Sequence, residues 1–370
     1  MNANKRLDQL DSIRFVSILI IVLSHFEFIG NSFIGEFYTN FLHNPTFGVD
    51  YFFVLSGFGL YLSFSEKNIS NSLKDSISFA IKKIKKTYYV YLFSLIISIP
   101  CNLIWISPGH IRTVLIRFLI DLTLVQSIFG STLFSHSINQ VCWFLSTLFI
   151  CYCFIPIIIN IVRRYCISIK KIIIHLCIII CALLFFSYFF IKIEEKMANV
   201  FTYHETPIID DLVYGSPYIR IFYITIGVLL GKLFFQVRDK YSKDLTVLEI
   251  IITIISILYF FLRNTINIHF IIKRLFDVIN VSTVLFIFAL GWGKVSNLIL
   301  KAKFLSYLGT AYGNYIFLIH YPVKMSVDAL IQSIPLVQSK FIFIYEIVVI
   351  CILTIVFIYI SKLMKKWLIK

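Results

Sequence analysis

The chain has 370 residues, of which 59% are hydrophobic and 14% charged, and its net charge is +15. Its mean hydropathy is +0.88. This composition excludes a water-soluble globular protein, because too few polar residues are available to cover a folded surface of this size. We therefore predict an all-α, polytopic membrane protein that forms a single domain over residues 1–370, with no appended soluble domain. Its eight cysteines lack metal-ligand spacing, so no metal site is predicted.

Apolar runs recur along the whole chain and define the candidate membrane helices. They lie near residues 13–29, 46–65, 88–106, 113–130, 142–162, 171–191, 218–235, 246–262, 277–292, 304–323 and 341–361. If all eleven crossed the bilayer, the basic connections would alternate between its two sides and violate the positive-inside rule. The run at 113–130 contains Arg117 and Asp121, and leaving it out places nearly every basic connection on one side. We predict ten transmembrane helices with both termini cytoplasmic, plus a re-entrant or interfacial segment at 113–130. The basic loop Arg263–Arg274 remains discordant, because it is assigned to the outside.

The first apolar run contains Arg14, His25 and Glu27, of which Glu27, two residues after His25, points in another direction. Eleven residues of α-helix complete about three turns, so the side chains of Arg14 and His25 lie on one face, about 16 Å apart along the axis. An ionisable residue inside a membrane helix usually faces a functional interior rather than lipid. The spacing therefore predicts a polar stripe with Arg14 at the inner end and His25 in the outer half.

Other polar residues fall at similar depths. Asp50 is expected near His25, where it either holds the imidazole, leaving the other ring nitrogen as a base, or caps its helix. Trp143 and His320 also fall at outer helix ends, where we predict substrate binding; a role as interfacial anchors is the alternative. Four lysines, Lys82, Lys83, Lys85 and Lys86, lie at the inner face. They are candidates for phosphate binding, although positive-inside topology alone also accounts for them.

Four sequence blocks resemble the acyltransferase-3 family of bacterial membrane O-acyltransferases: RLDQLDSIRFVSILIIVLSH, FGVDYFFVLSGF, WFLSTLFICYCFIP and LGTAYGNYIFLIHYPV. The resemblance implies about ten helices in the bacterial cytoplasmic membrane and an acyl group, most often acetyl, taken from acyl-CoA. It also implies an acceptor hydroxyl on a surface polysaccharide or lipid-linked glycan. The family's catalytic His and Arg correspond to His25 and Arg14. No permanently bound cofactor and no nucleic-acid partner are expected; membrane lipids, acyl-CoA and the glycan are the expected partners.

The chain departs from the family pattern at two places. Where relatives commonly have two arginines followed by proline near the third helix, this chain has Lys83, Lys86 and then Thr87. Lysine binds phosphate as a point charge without the bidentate fork of arginine. Leu148 occupies a position at which many relatives have Glu. A different class of function stays open, a transporter or flippase for a lipid-linked glycan, in which His25 and Arg14 would line a pathway.

Overall fold

The computed structural model describes residues 7–26, 45–64, 72–106, 109–129, 138–198, 211–238, 240, 243–263, 265–332 and 342–368. These residues form thirteen α-helices, short 3₁₀ and π-helical turns and no β-strand. The helices are α1 Asp8–Ser24, α2 Thr46–Phe64, α3 Leu73–Cys101, α4 Ile111–Leu122, α5 Trp143–Tyr152, α6 Ile155–Tyr165, α7 Ile169–Ala198, α8 Pro217–Val237, α9 Thr246–Leu262, α10 Phe270–Leu290, α11 Lys303–Ala311, α12 Gly313–Gln332 and α13 Ile342–Leu368.

Four described helical segments are long and apolar enough to cross a membrane, which supports a polytopic membrane protein. They are Thr46–Phe64, Leu73–Ile104, Ile169–Ile193 and Leu212–Val237. The pair α5 and α6, bent by 51° at their junction, makes a fifth if it is one broken span. Each of the ten predicted crossings contains at least one helix. The number ten and the cytoplasmic position of both termini stay predictions, since several of these helices are short or interrupted by charged residues.

The segment predicted not to cross forms a short amphipathic helix, α4, followed by a 3₁₀ turn at Gln126–Phe129. Twelve helical residues span about 18 Å, well short of the hydrocarbon core. The carbonyl groups at the end of α4 accept hydrogen bonds from α3, since Tyr91 Oη donates to Asp121 O at 2.6 Å and Tyr88 Oη to Leu122 O at 2.8 Å. Protein groups therefore satisfy a helix end that lipid would leave without partners.

Helices α2 and α8 pack closely enough for their backbones to touch. A Cβ atom added at Gly57 would lie 1.9 Å from Ile224 O, and one added at Gly227 would lie 2.0 Å from Val54 O. Only glycine fits at such a contact, which is the usual way that membrane helices pack through small residues. Helix α1 packs against α2 on one side and against α11 and α12 on another. This arrangement places the polar stripe of α1 in the interior of the bundle.

Candidate active site

Two histidines from opposite ends of the chain meet at the end of α1. His25 caps α1, and His320 lies in the middle of α12. The distance from His320 Nε2 to His25 Nδ1 is 3.4 Å, and the ring centroids are 5.1 Å apart. His320 is buried with 1% of its surface exposed, whereas His25 is partly exposed. The two residues that the sequence placed at similar depth are therefore direct neighbours.

Backbone carbonyl groups fix the tautomers of both rings. His25 Nδ1 lies 2.7 Å from Ile21 O, and His320 Nδ1 lies 2.9 Å from Ile316 O. A nitrogen that faces a carbonyl oxygen has to carry the proton, so each ring is assigned the Nδ1–H form. The Nε2 atom of His25 then carries a lone pair. A ring held in this way can accept a proton from a hydroxyl group, which is what a general base requires.

Tyr321 forms a further wall of the histidine site. Its ring meets the His25 imidazole edge to face, with centroids 5.1 Å apart. The Tyr321 hydroxyl donates to Gln140 Oε1, which joins α12 to the turn that precedes α5. The site therefore contains two imidazoles, a phenol and an amide. These groups offer several hydrogen-bonding partners to a hydroxyl-rich ligand.

A cavity of about 400 Å³ lies towards the inner end of α1. Its charged and polar lining includes two cations, Arg14 and Lys83, one carboxylate, Asp11, and the neutral side chains Ser56 and Asn314. Apolar side chains complete the wall, among them Leu148, at the position where many relatives have Glu. Arg14 and Lys83 outnumber Asp11, so this part of the cavity, the basic rim, carries a net positive charge beside the apolar wall. Such a combination suits a ligand with an anionic end.

Arg14 is held by a chain of side-chain hydrogen bonds that crosses three helices. Arg14 Nη2 donates to Asn314 Oδ1 at 2.5 Å, and Asn314 Nδ2 donates to Thr87 Oγ1 at 3.2 Å. The guanidinium carbon also lies 5.6 Å from the centroid of the Phe52 ring. Asn314 thus links α1 to α3, and its amide orientation is set by a donor on one side and an acceptor on the other. The sequence pattern did not single out Asn314.

Of the four predicted phosphate-binding lysines, the structure brings Lys83 to the cavity. All four lysines are exposed on α3, and Lys83 Nζ lies 5.7 Å from the centroids of Phe64 and Phe79. Lys82, Lys85 and Lys86 are not among the residues that line the cavity. Lys82 and Lys85, one and two positions from Lys83, point in other directions, whereas Lys86, three positions on, is a neighbour of Lys83 on α3 and still lies outside the cavity lining.

Asp50 occupies a different environment from the one expected. Its Oδ1 accepts a hydrogen bond from Arg220 Nη1, and both side chains are buried. Arg220 Nε donates to Tyr214 O at 2.5 Å, and the guanidinium carbon lies within 5.1 Å of the ring centroids of Phe53, Tyr214 and Tyr223. The carboxylate that we expected to orient His25 is therefore engaged by an arginine of α8. A buried cation requires such a counter-ion, which explains the pairing.

Trp143 lies beside this ion pair and is 6% exposed. Its indole packs against Tyr214 at 5.3 Å, Phe144 at 6.1 Å and Phe53 at 6.5 Å between centroids. A sugar platform and a membrane anchor both need an open ring face, and neither is available to an indole covered in this way. The structure therefore assigns Trp143 to the core.

The sequence also suggests acceptor contact by the predicted outer loop at 194–218, through Tyr203, His204 and Tyr214, with an ordinary solvated loop as the alternative. Tyr203 and His204 lie outside the described residues, and Tyr214 packs against Trp143.

The discordant basic loop Arg263–Arg274 also finds its explanation. Arg263 donates to both carboxylate oxygens of Asp277 at 2.8 Å, and Arg274 Nη1 donates to Tyr223 Oη at 3.0 Å. Both arginines are thus engaged within the protein. The positive-inside rule counts charges that face the aqueous phase, so these two arginines do not argue against an outer position of the loop.

The family model of an acyltransferase domain, acyltransferase-3, matches residues 7–363. The chain belongs to this family. Together with its apolar helices, this identifies a membrane acyltransferase. No curated protein and no solved structure matches the chain.

In this acyltransferase the four sequence blocks that carry the resemblance converge on the cavity. The first block contributes Arg14 and the fourth contributes Asn314, although 300 positions separate them. The second and third blocks supply further parts of the wall, which include Phe52, Ser56, Phe144 and Leu148. Arg220 was missed by the sequence analysis, yet it is one of two charged residues inside the apolar run 218–235, the other being Lys232, and such a charge was a usable signal. No group of three potential metal ligands occurs among the described residues.

Proposed function

We propose that the protein transfers an acetyl group from acetyl-CoA to a hydroxyl group of a cell-surface or lipid-linked polysaccharide, in the bacterial cytoplasmic membrane. One observation carries this proposal. Helix α1 joins a cavity with a basic rim, at Arg14, to an imidazole whose Nε2 carries a lone pair, at His25. An anionic donor at one end and a nucleophilic hydroxyl at the other are the two substrates that acyl transfer from a coenzyme A thioester requires.

The donor enters the proposal through its charge and shape. Coenzyme A carries phosphate groups at one end and a thin pantetheine arm at the other. Arginine pairs with phosphate through two parallel hydrogen bonds, and lysine adds a point charge, so Arg14 and Lys83 suit the phosphate end. The apolar wall of the cavity suits the arm, which would extend towards His25. Acetyl-CoA is thus a substrate of this site rather than a permanently bound cofactor.

In the direct route, the acceptor hydroxyl attacks the thioester carbonyl while His25 Nε2 takes its proton. The new C–O bond forms as the C–S bond breaks, and the coenzyme A thiolate leaves with the proton from the imidazolium. His320 would support this step as a positioning residue. Its Nε2 lone pair lies 3.4 Å from His25 Nδ1, whose hydrogen donates to Ile21 O, so it is placed to attract the His25 ring electrostatically when that ring becomes positively charged.

In the second route, His25 Nε2 itself attacks the thioester, the C–S bond breaks, and the coenzyme A thiolate leaves behind an acetylated imidazole. The acceptor hydroxyl then attacks the acetyl carbonyl, the C–N bond breaks, and the hydroxyl proton passes to the freed Nε2. This route avoids a simultaneous meeting of two large substrates. Radiolabelled acetyl-CoA added without acceptor separates the two routes. Label retained on the protein, and lost in a His25→Gln variant, supports the acylated histidine; absence of retained label in an active enzyme supports direct transfer.

The first test is O-acetylation of cell glycans, measured by NMR, together with acetyl-CoA consumption by purified protein. We expect His25→Gln to lower transfer by about 10²–10⁴-fold, because it removes the general base. His175→Gln is the matched control, since His175 is partly exposed and its Nδ1 lies 2.7 Å from the carbonyl four residues earlier, as in His25, but it lies on α7 and does not line the cavity. Full activity of His25→Gln at equal protein level would refute the assignment. An unacetylated polymer that fails to reach the surface would favour a flippase instead.

A further inference from the structure

Three phenylalanine rings close the end of the cavity that is nearest to the histidine pair. Phe52 of α2, Phe144 of α5 and Phe317 of α12 all line the cavity. Their centroids are 5.7 Å apart for Phe52 and Phe144, 6.3 Å for Phe52 and Phe317, and 5.1 Å for Phe144 and Phe317. Rings at 4.5–7 Å between centroids are in contact. The three rings therefore form a continuous layer contributed by three separate helices.

This layer separates the basic part of the cavity from the histidine site. On α12 the order along the chain is Asn314, Phe317 and His320, which places the ring between the partner of Arg14 and the histidine. The Phe317 and His320 ring centroids are 6.4 Å apart. On α2 the cavity lining runs from Ser63 to Phe52 and ends there, two residues before Asp50. A group that moves from Arg14 towards His25 therefore has to pass these rings.

We propose that Phe52, Phe144 and Phe317 form an aromatic gate that limits the transferred acyl group to short chains. This inference rests on the proposed function and extends it, because it names the residues that set the length of the acyl chain. The rings have to turn aside to admit the thioester, and the space that they free decides how many methylene groups can follow the carbonyl. Packed interiors resist added volume, so each extra methylene is opposed by the surrounding helices.

Phe52 gives the gate a connection to donor binding. The Phe52 ring centroid lies 5.6 Å from the Arg14 guanidinium carbon. The same ring also contacts the rings of Phe144 and Phe317. A phosphate bound by Arg14 alters the contact between the guanidinium group and the Phe52 ring. Opening of the gate is thereby linked to occupation of the cavity by the donor.

The test measures kcat/KM of the purified full-length protein with acetyl-, butyryl- and hexanoyl-CoA. In the wild type we expect kcat/KM for butyryl-CoA to be at least about tenfold lower than kcat/KM for acetyl-CoA. Single methylene groups are discriminated by about 10–200-fold in a fitted pocket. Phe317→Ala and Phe144→Ala should raise the butyryl-to-acetyl ratio by about tenfold. Phe93→Ala is the matched control, because Phe93 is 7% exposed, against 8% for Phe144 and for Phe317, but packs on Phe357 of α13.

Each outcome bears on one proposal. A wild type that uses all three donors equally, or gate variants with an unchanged ratio, would overturn the gate. A wild type that consumes none of the donors would refute the proposed function instead. Should the alanine variants fail to fold, Phe317→Leu is the milder opening and Phe317→Trp the matched closure. Leu should raise the butyryl-to-acetyl ratio and Trp should lower it, and a ratio unchanged in both would again overturn the gate.

Discussion

Arg14 and Arg220 both lie on membrane helices, but their surroundings differ. Arg220 is fully buried, paired with Asp50 and enclosed by three aromatic rings. Arg14 borders a cavity of about 400 Å³ and donates to the neutral amide of Asn314. A ligand can reach Arg14 and cannot reach Arg220. The comparison shows that a charge in the membrane is not enough to mark a candidate site residue. The residue must also border a cavity that a ligand can enter, and a charge enclosed by side chains is structural.

The largest effect is expected at the buried pair. Asp50→Ala leaves the Arg220 cation buried without its counter-ion, which should lower the free energy of unfolding by about 3–5 kcal/mol. Asp50→Leu combined with Arg220→Met should recover much of this loss, because an apolar pair needs no compensation. The unfolding midpoint of the detergent-purified protein measures both effects.

The same variants decide whether Asp50 also acts in catalysis. A double variant that regains stability and acetyl transfer would leave Asp50 a purely structural residue. One that regains stability alone would restore the catalytic role predicted from the sequence. A single Asp50→Ala variant that unfolds at the wild-type midpoint would contradict the account of the ion pair.

For Arg14 we expect the opposite pattern, with a loss of donor binding and little loss of stability. Arg14→Lys keeps the charge but loses the bidentate geometry, so we expect KM for acetyl-CoA to rise by about 10–100-fold, as for the loss of a charged hydrogen bond of about 1.5–3 kcal/mol. The unfolding midpoint should change little. Arg238→Lys is the control. The guanidinium carbon of Arg238 lies 4.5 Å from the Phe235 ring centroid, and Arg238 does not line the cavity. An unchanged KM would show that Arg14 does not contact the donor.

Asn314 should act through Arg14. Asn314→Leu removes a hydrogen bond of about 0.5–1.5 kcal/mol, so KM for acetyl-CoA should rise by about 2–10-fold while kcat is retained. Asn314→Asp should be more harmful to donor binding, because its carboxylate would compete with the donor phosphates for Arg14. Thr87→Ser, which keeps the hydroxyl, should behave as wild type, whereas Thr87→Val should weaken donor binding slightly. Equal losses in kcat for all four variants would indicate a general structural defect instead.

The smallest effect is expected among the lysines. Lys83 lines the cavity, so Lys83→Gln should weaken donor binding by about 1 kcal/mol or less, or up to fivefold in KM. Lys82→Gln, Lys85→Gln and Lys86→Gln should each change KM less than Lys83→Gln does. Kinetic measurements at two salt concentrations check the assignment, because screening reduces the contribution of exposed charges. A larger effect from Lys85 than from Lys83 would reverse the assignment.

The sequence by itself determined the helical class, the membrane environment, the shared face of Arg14 and His25, and the weakness of 113–130 as a crossing segment. All of these follow from composition or from the 3.6-residue period, which are local properties of the chain. Only the tertiary structure decided which residues of different helices meet. It placed His320 beside His25, 295 positions away, Asn314 beside Arg14, 300 positions away, and Arg220 rather than His25 beside Asp50. Helix periodicity defines a face, whereas the neighbour of that face depends on how helices pack, which no local pattern encodes.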